Sequence, residues 1–199
     1  VENGSTDAEG VAYTAFLGTR RVASGEPRQV ALAAKRAAEA DPWAPLLVFD
    51  DATGGRVELD LRGTDEEVLA RFGPVDAAPE ARPGPGRPKL GVVPREVTLL
   101  PRHWEWLNRQ PGGASVALRK LVEEARKASA AKDRVRHSQE AAYRFLSAIA
   151  GDLPGFEEAS RALFAGNGDR FDALTGTWPA DIRDYARGLA TAAFEKETE

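Results

Sequence analysis

A run of β-formers at residues 95–100 stops at Pro101, a helical stretch follows to Gln110, Pro-Gly-Gly turns the chain at 111–113, and Ser115 opens a second amphipathic helix. Strand, helix, turn and helix in about 40 residues bury too little apolar surface to close a core alone. Pairing two copies is the usual remedy. A homodimer built on two paired strands is therefore the first expectation from this chain.

Composition narrows what such a dimer can do. The 199 residues suffice for one or two small domains, and 42% are hydrophobic. Cysteine is absent, which excludes disulfides, thiol catalysis and the commonest zinc sites. His103 and His137 are the two histidines, so a zinc site would have to lean on carboxylates. No apolar run approaches the roughly 20 residues of a membrane span. No basic leader followed by an apolar stretch opens the sequence, and a cytoplasmic protein is expected. The net charge of −4 is unevenly spread. Residues 82–136 hold thirteen Lys and Arg against five acids, a net +8, leaving −12 for the rest. Two readings fit this basic middle: a surface for an anionic partner, or a solvated long helix.

Local patterns divide the chain. Residues 1–10 are small, polar and acidic, and predict disorder. Tyr13 to Leu17 and Arg20 to Ser24 predict a hairpin around Gly18-Thr19. Pro27 stands where helices begin, and a helix is expected to about Ala40. Leu46 to Asp50 predicts a strand, Thr53-Gly54-Gly55 a turn, and the alternation from Arg56 to Leu61 another strand. Thr64 and Glu67 have capping-box spacing at the start of a short helix. Residues 11–73 thus predict a small α+β domain of ββαββ order plus a helix. Residues 74–94 hold six of the thirteen prolines and predict an extended linker. The strand-helix-helix unit occupies 95–128, with Leu118, Leu121, Val122 and Ala125 as the stripe of its second helix. Residues 129–199 predict a helical C-terminal domain. Its long helix either continues from Ser115 or breaks near 129–132. Helices at 155–164, 169–174 and 179–194 follow, with Phe156, Phe164, Phe171, Trp178 and Tyr185 as core. The fold class is α+β.

The central unit resembles the ribbon-helix-helix fold of MetJ/Arc-type repressors. Leu100-Pro101 stands at the strand-to-helix junction, Trp104 and Leu107 supply first-helix core positions, and Gly113 to Val116 opens the second helix. The resemblance implies that two strands pair between chains and lie in the DNA major groove. It also implies that amides at the start of the second helix grip a phosphate. Two registers are open. One points Arg95, Val97 and Leu99 at the groove; the other points Glu96, Thr98 and Leu100 there. Neither is rich in the side chains that read base edges. Upstream, Pro85-Gly86-Arg87-Pro88-Lys89 resembles the core of an AT-hook, with Pro85 in place of the usual arginine. That resemblance implies an arm in a narrow minor groove; the alternative is a linker carrying two charges.

Catalytic patterns are weak. Asp50 and Asp51 could ligate Mg²⁺, although an aspartate-rich turn is the commoner use of such a pair. His103 reads as a surface or dimer-rim residue. No nucleophile elbow or phosphate-binding loop is present. Trp104 and Trp106, two apart, cannot both face one core. Taken whole, the chain is identified as a member of the bacterial domain-of-unknown-function family 2239, from about Thr14 to Tyr185, on residues 46–51, 86–91, 95–107, 110–118 and 143–156. That membership implies no particular activity.

The sequence therefore predicts a homodimeric protein that binds double-stranded DNA, either a transcription regulator or a nucleoid-associated protein, and not an enzyme. Arg87, Lys89, Arg95, Thr98, Arg102 and Ser115 are its expected contacts, Ser115 as the helix cap. No catalytic residue, metal ligand, cofactor or membrane partner is expected. The alternative is a protein-interaction or ligand-sensing protein whose ribbon only dimerises it.

Overall fold

The computed structural model describes residues 11–72, 93 and 95–195. The disordered start expected at 1–10 and, Val93 apart, the linker expected at 74–94 lie outside the described residues. The chain forms two compact units, one from residues 1–75 with 132–199 and one from 76–131.

In the first unit, β1 (Tyr13–Leu17), β2 (Arg20–Gly25), β3 (Leu46–Asp50) and β4 (Arg56–Val57) make an antiparallel sheet of order β2-β1-β3-β4. Gly18, with φ 59°, supplies the left-handed turn between β1 and β2. Between β3 and β4, the Asp50 carboxylate accepts hydrogen bonds from the amides of Ala52 and Thr53 and from the Thr53 hydroxyl. These bonds favour the turn over further strand. The strand expected from Arg56 to Leu61 pairs only at Arg56 and Val57. Leu59 and Leu61 still pack inward without ladder bonds. The helix α1 (Pro27–Ala40) begins on its proline as expected. The helix α2 (Asp65–Ala70) carries the Thr64–Glu67 capping box. Lys35 and Arg36 of α1 reach Asp65 of α2 at 3.1 Å each.

Strand alternation sends Ala15 and Val48 to one face of the sheet and Phe16, Leu47 and Phe49 to the other. Val30 and Ala34 of α1 cover the first face. The second face is covered by helices from the far end of the chain: the last part of α4 (Gly113–Ile149), α5 (Phe156–Phe164), α6 (Gly168–Thr175), α7 (Ala180–Leu189) and a 3-10 turn (Thr191–Phe194). Phe16, Phe49, Phe145 and Tyr185 meet edge-on or tilted, with centroids 4.6–6.0 Å apart. The segments expected as domains at 11–73 and 129–199 fall, from residue 132 on, in one compact unit. One core joins them, because among the described residues these helices are what covers the Phe16–Phe49 face of the sheet.

Two expectations are corrected and one alternative is decided. The helix expected at 179–194 divides at Ala190 into α7 and the 3-10 turn. Phe164, expected in the core, is half exposed and meets only the rim ring of Tyr143 among the aromatics. Of the two possibilities for the long helix, the continuous one holds: α4 runs 37 residues without a break.

The second unit holds α3 (Pro101–Asn108), the glycine turn and the first part of α4. Gly112 and Gly113 carry φ of 85° and 76°, which explains a paired glycine at this corner. Among the described residues no strand forms at 95–100, where a ribbon strand was expected. A strand needs a ladder partner, and this single chain supplies none there.

Candidate functional site

Four of the six expected contacts, Arg95, Thr98, Arg102 and Ser115, are described residues of the second unit. Leu100 has extended dihedrals (φ −66°, ψ 150°), and Pro101 opens α3 behind it. Leu107 and Ala117 are the buried apolar side chains of the helical hairpin. Val97, Leu100, Trp106, Leu121 and Val122 remain about half exposed, and Trp104 slightly less so. Leu99, His103, Trp106, Leu107, Leu118 and Leu121 line an almost wholly apolar hollow of about 300 Å³. His103 thus borders an apolar surface rather than a polar site.

The same unit carries exposed cations. Arg95, Thr98, Arg102 and Ser115 are all exposed. Among the described residues, Arg95, Arg102, Arg109 and Lys120 have no carboxylate within ion-pair reach, whereas Arg126 and Lys127 share Glu123. Arg102 and Arg109, seven apart, share the α3 face turned away from Leu107. Ser115 is not the helix cap. The helix starts at Gly113, which puts Ser115 in its first turn, where its hydroxyl accepts a 3.3 Å hydrogen bond from Arg119. Arg87 and Lys89 lie outside the described residues.

The first unit carries a cleft of about 510 Å³ that the sequence did not reveal. Arg21, Asp51, His137, Asp184, Tyr185 and Glu195 give it its polar groups. They come from β2, the turn after β3, α4, α7 and the chain beyond the 3-10 turn, so no sequence spacing joins them. The Tyr185 hydroxyl donates a 2.7 Å hydrogen bond to Asp51. Burial first, and then that bond, push the Tyr185 hydroxyl well above the usual tyrosine range. Asp50, weighed beside Asp51 as a magnesium ligand, instead ties its own turn together. Among the described residues no three His, Asp or Glu side chains are grouped to hold a metal.

The Tyr185 bond has a measurable pH signature. An unfolded tyrosine ionises near pH 10, and the folded one stays protonated beyond that. The stabilisation is complete below about pH 10 and declines above it, because only the unfolded state then gains from losing the proton. Tyr185→Phe leaves Asp51 without its donor and is expected to cost about 1–3 kcal/mol at neutral pH. Denaturant melts at pH 7 to 11 should find the gap between wild type and variant closing above pH 10. A gap constant across that range would contradict the assignment.

Among the described residues no helix is long and apolar enough to cross a membrane. Neither a curated protein nor a solved structure matches the chain. One family model does match, described as an uncharacterized protein conserved in bacteria, over residues 12–190. That span takes in both the sheet-and-helix unit and the central hairpin, and the chain belongs to this bacterial family, DUF2239.

Proposed function

We propose that this protein is a cytoplasmic homodimer that binds double-stranded DNA through its central unit, as a transcription regulator or nucleoid-associated protein. One observation carries the reading. The α3–α4 hairpin and the residues leading into it leave Val97, Leu100, Trp106, Leu121 and Val122 about half exposed near an apolar hollow, and the same unit carries Arg95, Arg102, Arg109 and Lys120 without a carboxylate partner among the described residues. Exposed apolar surface rimmed by polar groups marks an association site. A second copy is the occupant the chain can supply for itself: pairing residues 95–100 between two chains satisfies their ladder groups and covers both hollows, in the ribbon-helix-helix manner. Dimerisation also doubles the cations, and duplex DNA presents about one phosphate charge per 1.7 Å of axis to receive them.

The test is a salt titration of the full chain against fluorescent duplexes. Binding should be readily measured at about 50 mM salt, and the affinity should fall log-linearly with salt at a slope near −0.9 per phosphate neutralised. Arg102→Ala with Arg109→Ala should flatten that slope. Absence of duplex binding at low salt would overturn the proposal. The second reading, a ligand-sensing dimer that never meets DNA, draws on the cleft beside Asp51 and Tyr185, whose size suits a small molecule.

A further inference from the structure

We infer that the DNA is bound through its phosphates, without preference for base sequence, which makes the protein a packaging rather than a site-specific binder. The inference rests on the dimeric DNA-binding reading above and deepens it. Its source is the placement of one side chain. Sequence alone leaves two registers open for residues 95–100. Leu99 lines the apolar hollow with Leu107, Leu118 and Leu121, and it is the one residue of 95–100 that is partly buried rather than exposed. In a paired ribbon, side chains alternate between the two faces. Leu99 toward the helices takes Val97 and Arg95 with it and turns Glu96, Thr98 and Leu100 outward.

That outward set is poorly suited to reading bases. Sequence is read in the major groove mainly by arginine or lysine on guanine and asparagine or glutamine on adenine. Glu96 accepts hydrogen bonds only, and its charge repels the neighbouring phosphates; a dimer presents it twice. Leu100 has nothing to donate or accept. Thr98 alone can donate a hydrogen bond, and a single hydroxyl serves several bases. The cations able to hold DNA are Arg102, Arg119 and Lys120 on the helices and Arg109 just past the end of α3. Contacts of that type fix a protein on the duplex without carrying sequence information.

The experiment has three arms, all on the full chain. Enrichment from a random duplex pool should yield no motif, and unrelated duplexes should bind within about threefold of one another, far below the 10³-fold or greater preference of site-specific binders. Thr98→Ala should leave that flat profile unchanged. Glu96→Gln should tighten binding several-fold on every duplex alike, because two repelling charges leave the dimer. An enriched motif, a preference above about a hundredfold, or an affinity unmoved by Glu96→Gln would overturn the inference while leaving DNA binding intact. A chain that binds no duplex at all would overturn the inference together with the reading beneath it.

Discussion

Phe145→Ala is expected to cost about 3–5 kcal/mol and to melt the sheet and the C-terminal helices in one transition. Phe145 is fully buried on α4, and its ring touches Phe16 from β1, Phe49 from β3 and Tyr185 from α7, at 5.4, 4.9 and 4.6 Å between centroids. Truncation opens a cavity where three elements meet, and rigid neighbouring rings cannot collapse into it. The site also distinguishes one core from two. If the sheet and helices were separate domains, the variant would leave the sheet's own transition unchanged. A probe on each, such as the exposed Trp43 next to α1 and the buried Trp178, should report the same lowered midpoint. Two midpoints would contradict the shared core.

Gly54→Ala is expected to destabilise the same unit by several kcal/mol. Gly54 is buried at the β3–β4 turn with φ 62°, a conformation that a β-carbon disfavours by roughly 1–2 kcal/mol. The larger effect is steric. A β-carbon on Gly54 would run into the backbone carbonyl of Ala141, in the last part of α4, which cannot move aside as a side chain would. The hairpin and the helix are also tied there by Arg144, which donates a 3.0 Å hydrogen bond to the Thr53 carbonyl. Gly18→Ala makes the control: its φ is similarly positive, but open space surrounds it. A thermal melt should find Gly54→Ala losing far more than Gly18→Ala, and equal losses would mean that α4 does not pack on this turn.

These residues mark where sequence was sufficient and where it was not. Local chemistry is legible locally. The capping box at Thr64, the proline start of α1 and the left-handed Gly18 each depend on neighbours a few positions away, and each stands as expected. The partner of a buried face is not local. Alternation in β1 and β3 says that Phe16 and Phe49 are covered, but nothing in the pattern identifies Phe145 and Tyr185, more than 90 residues on, as the cover. The continuity of α4 was ambiguous for a related reason. Residues 126–134 lack an apolar stripe, so periodicity fades, yet alanine, lysine and arginine favour helix intrinsically. The Arg126–Glu123 and Arg136–Asp133 pairs then support the exposed turns at 3.0 and 2.8 Å.

The candidate sites follow the same division. Arg95, Thr98 and Arg102 were visible because a short strand-helix-helix pattern sets them side by side. The cleft beside Tyr185 was not, since its polar groups come from opposite ends of the chain. The register proposed for residues 95–100 rests on Leu99 lining the hollow with α3 and α4 residues, a contact that spacing alone leaves undecided.

All functional readings here depend on whether the hairpin's apolar face meets a second copy. Light scattering of the full chain across micromolar concentrations tests this directly. The account predicts a particle of about 43 kDa, twice the 21.4 kDa chain, for wild type. Leu121→Asp with Val122→Asp should return it to 21.4 kDa with its helical circular dichroism retained. A wild-type mass of 21.4 kDa throughout that range would contradict the account.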